Sequence, residues 1–261
     1  MPSKGCREFV LGWAIAGSRE PLTGENAHGV GMRTVTETQP HIMRAPEERH
    51  RGQIKSRERV RDLAEVYTHQ REVNAMLDLV PDMFPTSENP GNTDRKFLEP
   101  ACGSGNFLEE ILERKLAYVT TERYGMGQRY EHRVLRALAS IYAIDINEEN
   151  VDESRERLRA VVNSHIDNDM NTKAVSQGFS EAVEVILETN IVLGDSMTAR
   201  GDITFVDYRP GKSGTFTREW SPMDTQEGDL FALFAPRDET PVHYRDLRST
   251  PAPSAANGGL R

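Results

Sequence analysis

Apolar residues recur at helical spacing through residues 56–80. Val60, Leu63, Ala64 and Tyr67 form one stripe, and Val73, Met76, Leu77 and Val80 a second. The pattern predicts two helices broken near Tyr67-Thr68, with Thr68 capping the second and Pro81 and Pro85 ending it. Beyond a turn-rich linker, Ser87 to Asp94, short apolar runs alternate with longer amphipathic ones. Strands are expected at Lys96 to Pro100, Ser140 to Ile146 and Asn190 to Leu193. Helices are expected at Leu108 to Leu116, around Val134, Leu135, Leu138 and Ala139, at Glu148 to Val162 and at Ser176 to Leu187. Two further strand-like runs, Ile203 to Tyr208 and Thr215 to Trp220, flank the turn Arg209 to Gly214 and read as a hairpin. Strands alternating with helices predict an α/β protein with a parallel sheet of the doubly wound kind.

The ends of the chain are patterned differently. Residues 1–50 show no sustained period and read as a flexible segment, with one short element around Phe9 to Ala16. From Pro236 the chain is rich in Pro, Ser, Ala, Gly and Asp, so residues 236–261 read as a disordered tail. Arg44 to Arg61 is rich in basic residues, but Glu47, Glu48 and Glu58 interrupt it, so a solvated helix face is favoured over a phosphate-binding strip.

Net charge is -9 with 28% charged residues. That balance argues against a stand-alone, non-specific DNA binder, whose affinity comes from cationic contacts to phosphate, while leaving room for a local basic strip. The only cysteines, Cys6 and Cys102, are far apart, so a reducing cytoplasm is expected rather than a disulfide framework. The run Val10 to Ala16 is too short to span a bilayer, and no membrane partner is expected. Scattered histidines and isolated cysteines predict no metal site.

The candidate chemistry lies where strands end. Leu98-Glu99-Pro100-Ala101-Cys102-Gly103-Ser104-Gly105-Asn106-Phe107-Leu108 reads as strand, glycine turn and helix start. Glycine lets the backbone approach a ligand, and the helix N-terminus behind it offers unpaired N–H groups. Asp145 ends the second strand, where an acid can accept from two ribose hydroxyls. A helix N-cap would equally explain an Asp there, but Asn147 can fill that role and leave Asp145 free. Asp195 follows the third strand in a Gly-Asp pair that turns also use. Ile146 and Met197 read first as core residues, and Cys102 as a small buried packing residue.

The string from Glu99 to Phe107 resembles the first S-adenosylmethionine (SAM) motif of the adenine-N6 DNA methyltransferases, (D/E)-P-x-C-G-x-G-x-F. Tyr67-Thr68 resembles the motif that this family places before the sheet, with His69 where a Pro is usual. The resemblance covers roughly residues 56–195. It implies a Rossmann-like methyltransferase fold with SAM as cofactor. Tyr67, Thr68, Glu99, Pro100, Ala101, Gly103, Gly105, Asn106 and Phe107 would bind SAM, with the Tyr67-Thr68 turn closing over its methionine end and Glu99 on the ammonium. Asp145 would take the ribose. Asp195 would accept from the adenine amine, Ile146 and Met197 would sandwich the ring, and Ser196 is a further SAM-binding candidate. One spacing departs: forty positions separate Gly105 from Asp145, about double a compact dinucleotide unit.

The resemblance stops at the acceptor side. Family members carry (N/D/S)-P-P-(Y/F/W) after the fourth strand. Here only Asn89-Pro90-Gly91 and Ser221-Pro222-Met223 come near, and the latter reads as a turn. No catalytic residue is assigned. The expected organisation is a flexible segment (1–50), a helical region closing over SAM (51–90), an apparently truncated SAM-binding domain with a C-terminal hairpin (91–235) and the tail. The expected function is methyl transfer from SAM to DNA, with a partner chain or a second copy supplying target recognition. The alternative is a non-catalytic SAM-binding subunit descended from such enzymes.

Overall fold

A computed structural model describes residues 9–11, 68–170, 175–198, 202–223 and 235–253. Tyr67, Cys6, the basic run 44–61 and the first of the two expected N-terminal helices lie outside the described residues. Strand β2 (Lys96–Glu99) pairs in parallel with β3 (Ile141–Asp145), and β3 with β4 (Ile191–Leu193). Strand β1 (Phe9–Leu11) adds to the far edge of β2, also in parallel. The order is therefore β1-β2-β3-β4, and the carboxyl ends of β2, β3 and β4 lie along one edge.

Every residue of β3 is buried, as expected of a central parallel strand covered on both faces. Side chains alternate between two apolar clusters. Phe97, Ile141, Ala143 and Ile191 join the larger one, with the helices α2 (Asn106–Leu116), α4 (Gln128–Leu138), α5 (Glu148–Met170) and α6 (Gln177–Asn190). Leu98, Tyr142 and Ile144 face the smaller cluster, which Ile203 and Phe205 complete. Both crossovers step the same way along the sheet, and right-handed connections then put their helices on one face. Among the described residues the second face is covered by the start of the hairpin, where the doubly wound expectation has a helical layer.

The segment between α2 and β3 is helical, as expected, in two pieces: α3 (Thr121–Tyr124) and α4. Helix α1 (Gln70–Leu77) is shorter than its apolar stripe because Val80 already leads into a 3-10 turn at Pro81–Met83. His69, not Thr68, holds its N-cap position: its carbonyl accepts from the N–H groups of Glu72 and Val73.

The hairpin forms as expected from β5 (Thr204–Pro210) and β6 (Thr215–Pro222), but it is not the end of the fold. Strand β7 (Val242–His243) pairs with the start of β6. Ser221 and Pro222 belong to β6 and not to a turn. Residues 236–253, expected within a disordered tail, are anchored to the fold, with Tyr244 and Leu247 in the core. Tyr244 is fully buried with its hydroxyl on Glu131 of α4. Arg218 and Asp238 form a buried bidentate pair at 2.9 and 3.0 Å, and Arg218 also donates to the carbonyls of Thr250 and Pro251. Composition misleads here because a few anchors suffice to fix a Pro- and Ser-rich strap.

Asp238→Ala leaves the Arg218 guanidinium buried without its partner. A loss of about 3–5 kcal/mol is expected, measured by urea unfolding. A loss within 0.5 kcal/mol, about the scale of an ordinary surface substitution, would mean that residues 236–253 behave as a tail.

Candidate functional site

The loop after β2 is stitched to β3 and α5 by backbone geometry. The Cys102 N–H donates to the Ile144 carbonyl (2.9 Å), and the Gly103 N–H donates to Oδ2 of Asp145 (2.8 Å). From α5, the Ser154 hydroxyl donates to the Gly103 carbonyl (3.0 Å) and lies 3.6 Å from the Cys102 sulfur. Gly105 is required twice over. Its φ is +88°, and a Cβ there would stand 2.9 Å from Ser154 Oγ and 3.1 Å from Ser154 Cα. α2 starts immediately beyond with no side-chain cap, so its N-terminal N–H groups are left for another acceptor.

Asp145 is not free, contrary to the sequence expectation. Besides the Gly103 N–H, its Oδ1 accepts from the Asn147 N–H (2.9 Å) and from Asn150 Nδ2 (3.1 Å), and the residue is 8% exposed. Asn147 does take the capping role, accepting from the Glu149 N–H (2.9 Å). A carboxylate offers roughly four lone-pair positions. Three are used, which leaves about one for a ligand hydroxyl rather than two.

Asp195 occupies the turn after β4, where its carboxylate accepts from the N–H groups of Met197 (2.8 Å) and Thr198 (3.2 Å) and pairs with the Thr198 hydroxyl. These bonds hold its carboxyl below the usual range. Half-buried Ser196 lies within the same turn. The Gly194 N–H donates to the Asp145 carbonyl (3.0 Å), so the two strand tips are locked together.

Glu99 at the tip of β2 behaves differently. The Ala101 N–H (3.3 Å) supports it weakly, while burial and the nearby Asp145 push its carboxyl up to about 7. Cys102 is buried, and its thiol is pushed up to about 12, first by burial. It is a packed thiol, as expected.

Ile146 and Met197, expected in the core, are 68% and 77% exposed. With Leu193, the register partner of Asp145, they make three of the five exposed large apolar side chains among the described residues. The tips of β3 and β4 thus present uncovered apolar surface beside two acids. Pro100 and Ala101 cross the top of the loop, half-buried and exposed respectively. Phe107 packs on the larger cluster. The Asn106 side chain is turned to α5, accepting from Arg157 Nη1 (2.9 Å). Half-buried Thr68 precedes α1, which is fastened to α2 through Gln70 and Glu110 (2.6 Å).

Sequence reasoning missed Ser154, Asn150 and Arg157. Asn150 and Ser154 are buried polar residues four apart on α5, flanked by buried Val151 and Leu158. A polar pair inside an apolar stripe was the available signal. Among the described residues no cluster of His, Cys, Asp and Glu could hold a metal, and no helix is long and apolar enough to cross a membrane.

The chain matches no protein-family model, no curated protein and no solved structure.

Glu99→Gln is expected to raise stability. The folded carboxyl binds its proton more tightly than the unfolded one, so wild-type stability falls as pH rises from about 4.5 to about 7. At pH 8 the variant should be more stable by about 1–3 kcal/mol, with the difference vanishing near pH 4.5. Denaturant unfolding at both pH values checks this. A difference independent of pH would remove Glu99 as a desolvated acid.

Proposed function

We propose that this chain binds SAM at the carboxyl edge of its parallel sheet and that it is a methyltransferase of the DNA adenine-N6 type. The observation that carries the reading is the convergence of Glu99, the glycine loop, Asp145 and Asp195 at three adjacent strand tips beside uncovered Ile146 and Met197. Ligands of open α/β sheets bind at such edges. The donor set suits a zwitterion carrying an aromatic nucleoside. Glu99 is short of a cation, which an ammonium group supplies. Asp145 has an acceptor position for a ribose hydroxyl. Ile146 and Met197 offer apolar surface to a flat ring. SAM, when bound, supplies a methyl group activated by its sulfonium. The chain orients that donor by holding opposite charges at its two ends.

DNA as substrate, and adenine N6 as the acceptor, rest on the resemblance of the Glu99 to Phe107 string alone. A second reading, a SAM-binding subunit without turnover, is favoured by a specific observation. Downstream of β4 the chain builds an antiparallel sheet instead of continuing the parallel one, and no N-P-P-Y-like string is present. Target recognition then falls to a partner chain or a second copy.

SAM is expected to stabilise the protein by about 2.7 kcal/mol at one hundred times its dissociation constant, with NAD inactive. Asp145→Ala should weaken SAM binding by about 1.5–3 kcal/mol. It should also lower the stability of the ligand-free protein, because the Gly103 tether goes with it. Thermal-shift titrations read both effects, and no response of wild type to saturating SAM would refute the assignment.

The two readings separate on product. With labelled SAM and mixed-sequence duplex DNA, the isolated chain is expected to form little N6-methyladenine, since an unpositioned acceptor forfeits roughly 7–11 kcal/mol of barrier reduction. Rapid methylation by the chain alone would show that it holds an acceptor site of its own.

A further inference from the structure

A second feature lies along α4, away from the strand tips. Arg129, Arg133 and Arg136 repeat at i, i+4 and i+7, so they share one helix face, while Tyr130, Val134 and Leu138 are buried. The row spans about 10 Å of helix. It lines a cleft of about 170 Å³, closed by Tyr124, His132 and the β5–β6 turn at Ser213-Gly214. That volume is room for roughly five or six waters.

The cleft is built, not incidental. Ser213 and Gly214 both take positive φ, 51° and 77°. A Cβ on Gly214 would stand 2.9 Å from His243 Nε2 and 3.1 Å from Gln128 Cγ, so the turn is wedged against the start of α4. The Arg133 guanidinium lies over the Tyr124 ring at 5.0 Å and reaches the Gly91 carbonyl at 3.3 Å. Arg136 is fixed by Asp94 (Nε to Oδ1, 3.0 Å). Arg129 is exposed. His132 bonds the Thr215 carbonyl (3.1 Å) and is pushed down to about 4, first by burial, so it is a neutral wall at pH 7. Asp94 offsets one of the three cations, and like charges four apart on a helix repel.

We propose that this cleft grips the phosphodiester backbone of a nucleic acid. A row of guanidinium forks matches a chain of phosphates better than a single anion. On a chain of net charge -9, a local row of cations gives a polyanion a place to approach. The proposal rests on the reading of DNA as partner. It adds which surface receives the backbone.

The test is fluorescence anisotropy of a labelled mixed-sequence duplex across a salt series, with wild type, Arg129→Gln and Ser213→Asp. Arg129→Gln removes an exposed cation, and Ser213→Asp adds an anion while leaving every arginine in place. Both are expected to bind several-fold more weakly, and Arg129→Gln should flatten the log–log salt slope by about 0.9. SAM-induced thermal stabilisation, read on the same preparations, should be unchanged. Unaltered duplex affinity and slope in both variants would overturn the cleft while leaving the SAM reading intact. Loss of duplex binding in variants of a protein that ignores SAM would do the reverse. A wild type that does not bind duplex, yet is stabilised by inorganic phosphate through Arg129, would overturn the nucleic-acid assignment in favour of a small phosphorylated ligand.

Discussion

One carboxylate joins segments 42 positions apart: Oδ2 of Asp145 accepts the Gly103 N–H. The glycines of the loop after β2 favour no single conformation, so such bonds, with the Cys102 N–H on the Ile144 carbonyl, fix it. Parallel pairing brings Asp145 beside that loop, and Ser154 closes it from the helix side. Only a residue without a Cβ then fits at Gly105. Because Asp145 already serves three protein donors, the group that would recognise a ribose is also the group that shapes the site. On the proposed reading, binding and folding would be coupled at this residue, whose remaining acceptor capacity is limited.

The two ends of the parallel sheet treat charge in opposite ways. At the amino ends, Lys115 is completely buried and donates to the carbonyls of Thr93 (3.1 Å) and Arg95 (2.5 Å), while Asp94 holds Arg136. Burial draws the Lys115 amine down to about 7, yet two carbonyl oxygens accept from it. At the carboxyl ends, Glu99 is desolvated with one long hydrogen bond, and Ile146, Leu193 and Met197 face outward. Unrelieved acid and uncovered apolar surface both cost free energy that a bound cationic nucleoside would offset.

The antiparallel sheet is more than an appendage. Buried Asn190 joins the layers, accepting from the Val206 N–H (3.1 Å) and donating to the Ala139 carbonyl (3.4 Å). Lys96 and Asp207 pair across them at 2.7 Å. Ile203 and Phe205 pack on Leu98, Tyr142 and Ile144 at the second face of the parallel sheet. The same attachment presses the β5–β6 turn against α4, and so creates the basic cleft.

The parallel strands, the glycine turn and the three acids at the strand tips were legible in the residues themselves. Burial on both faces demands continuous apolar runs, and a close backbone approach demands glycine; both demands are local and leave a mark at each position. The sequence alone also determined that no acceptor-type N-P-P-Y string follows the sheet. Whether a polar group is satisfied was not legible, because it depends on partners far along the chain. Asp145 looked free until the Gly103 and Asn150 donors were brought to it. Ile146 and Met197 looked like core until the strand tips were seen to leave them exposed. Residues 236–253 looked like a tail until Arg218 met Asp238 and Tyr244 met Glu131. The tertiary structure decided those points, since hydrogen bonds and burial between distant segments leave no period in a sequence.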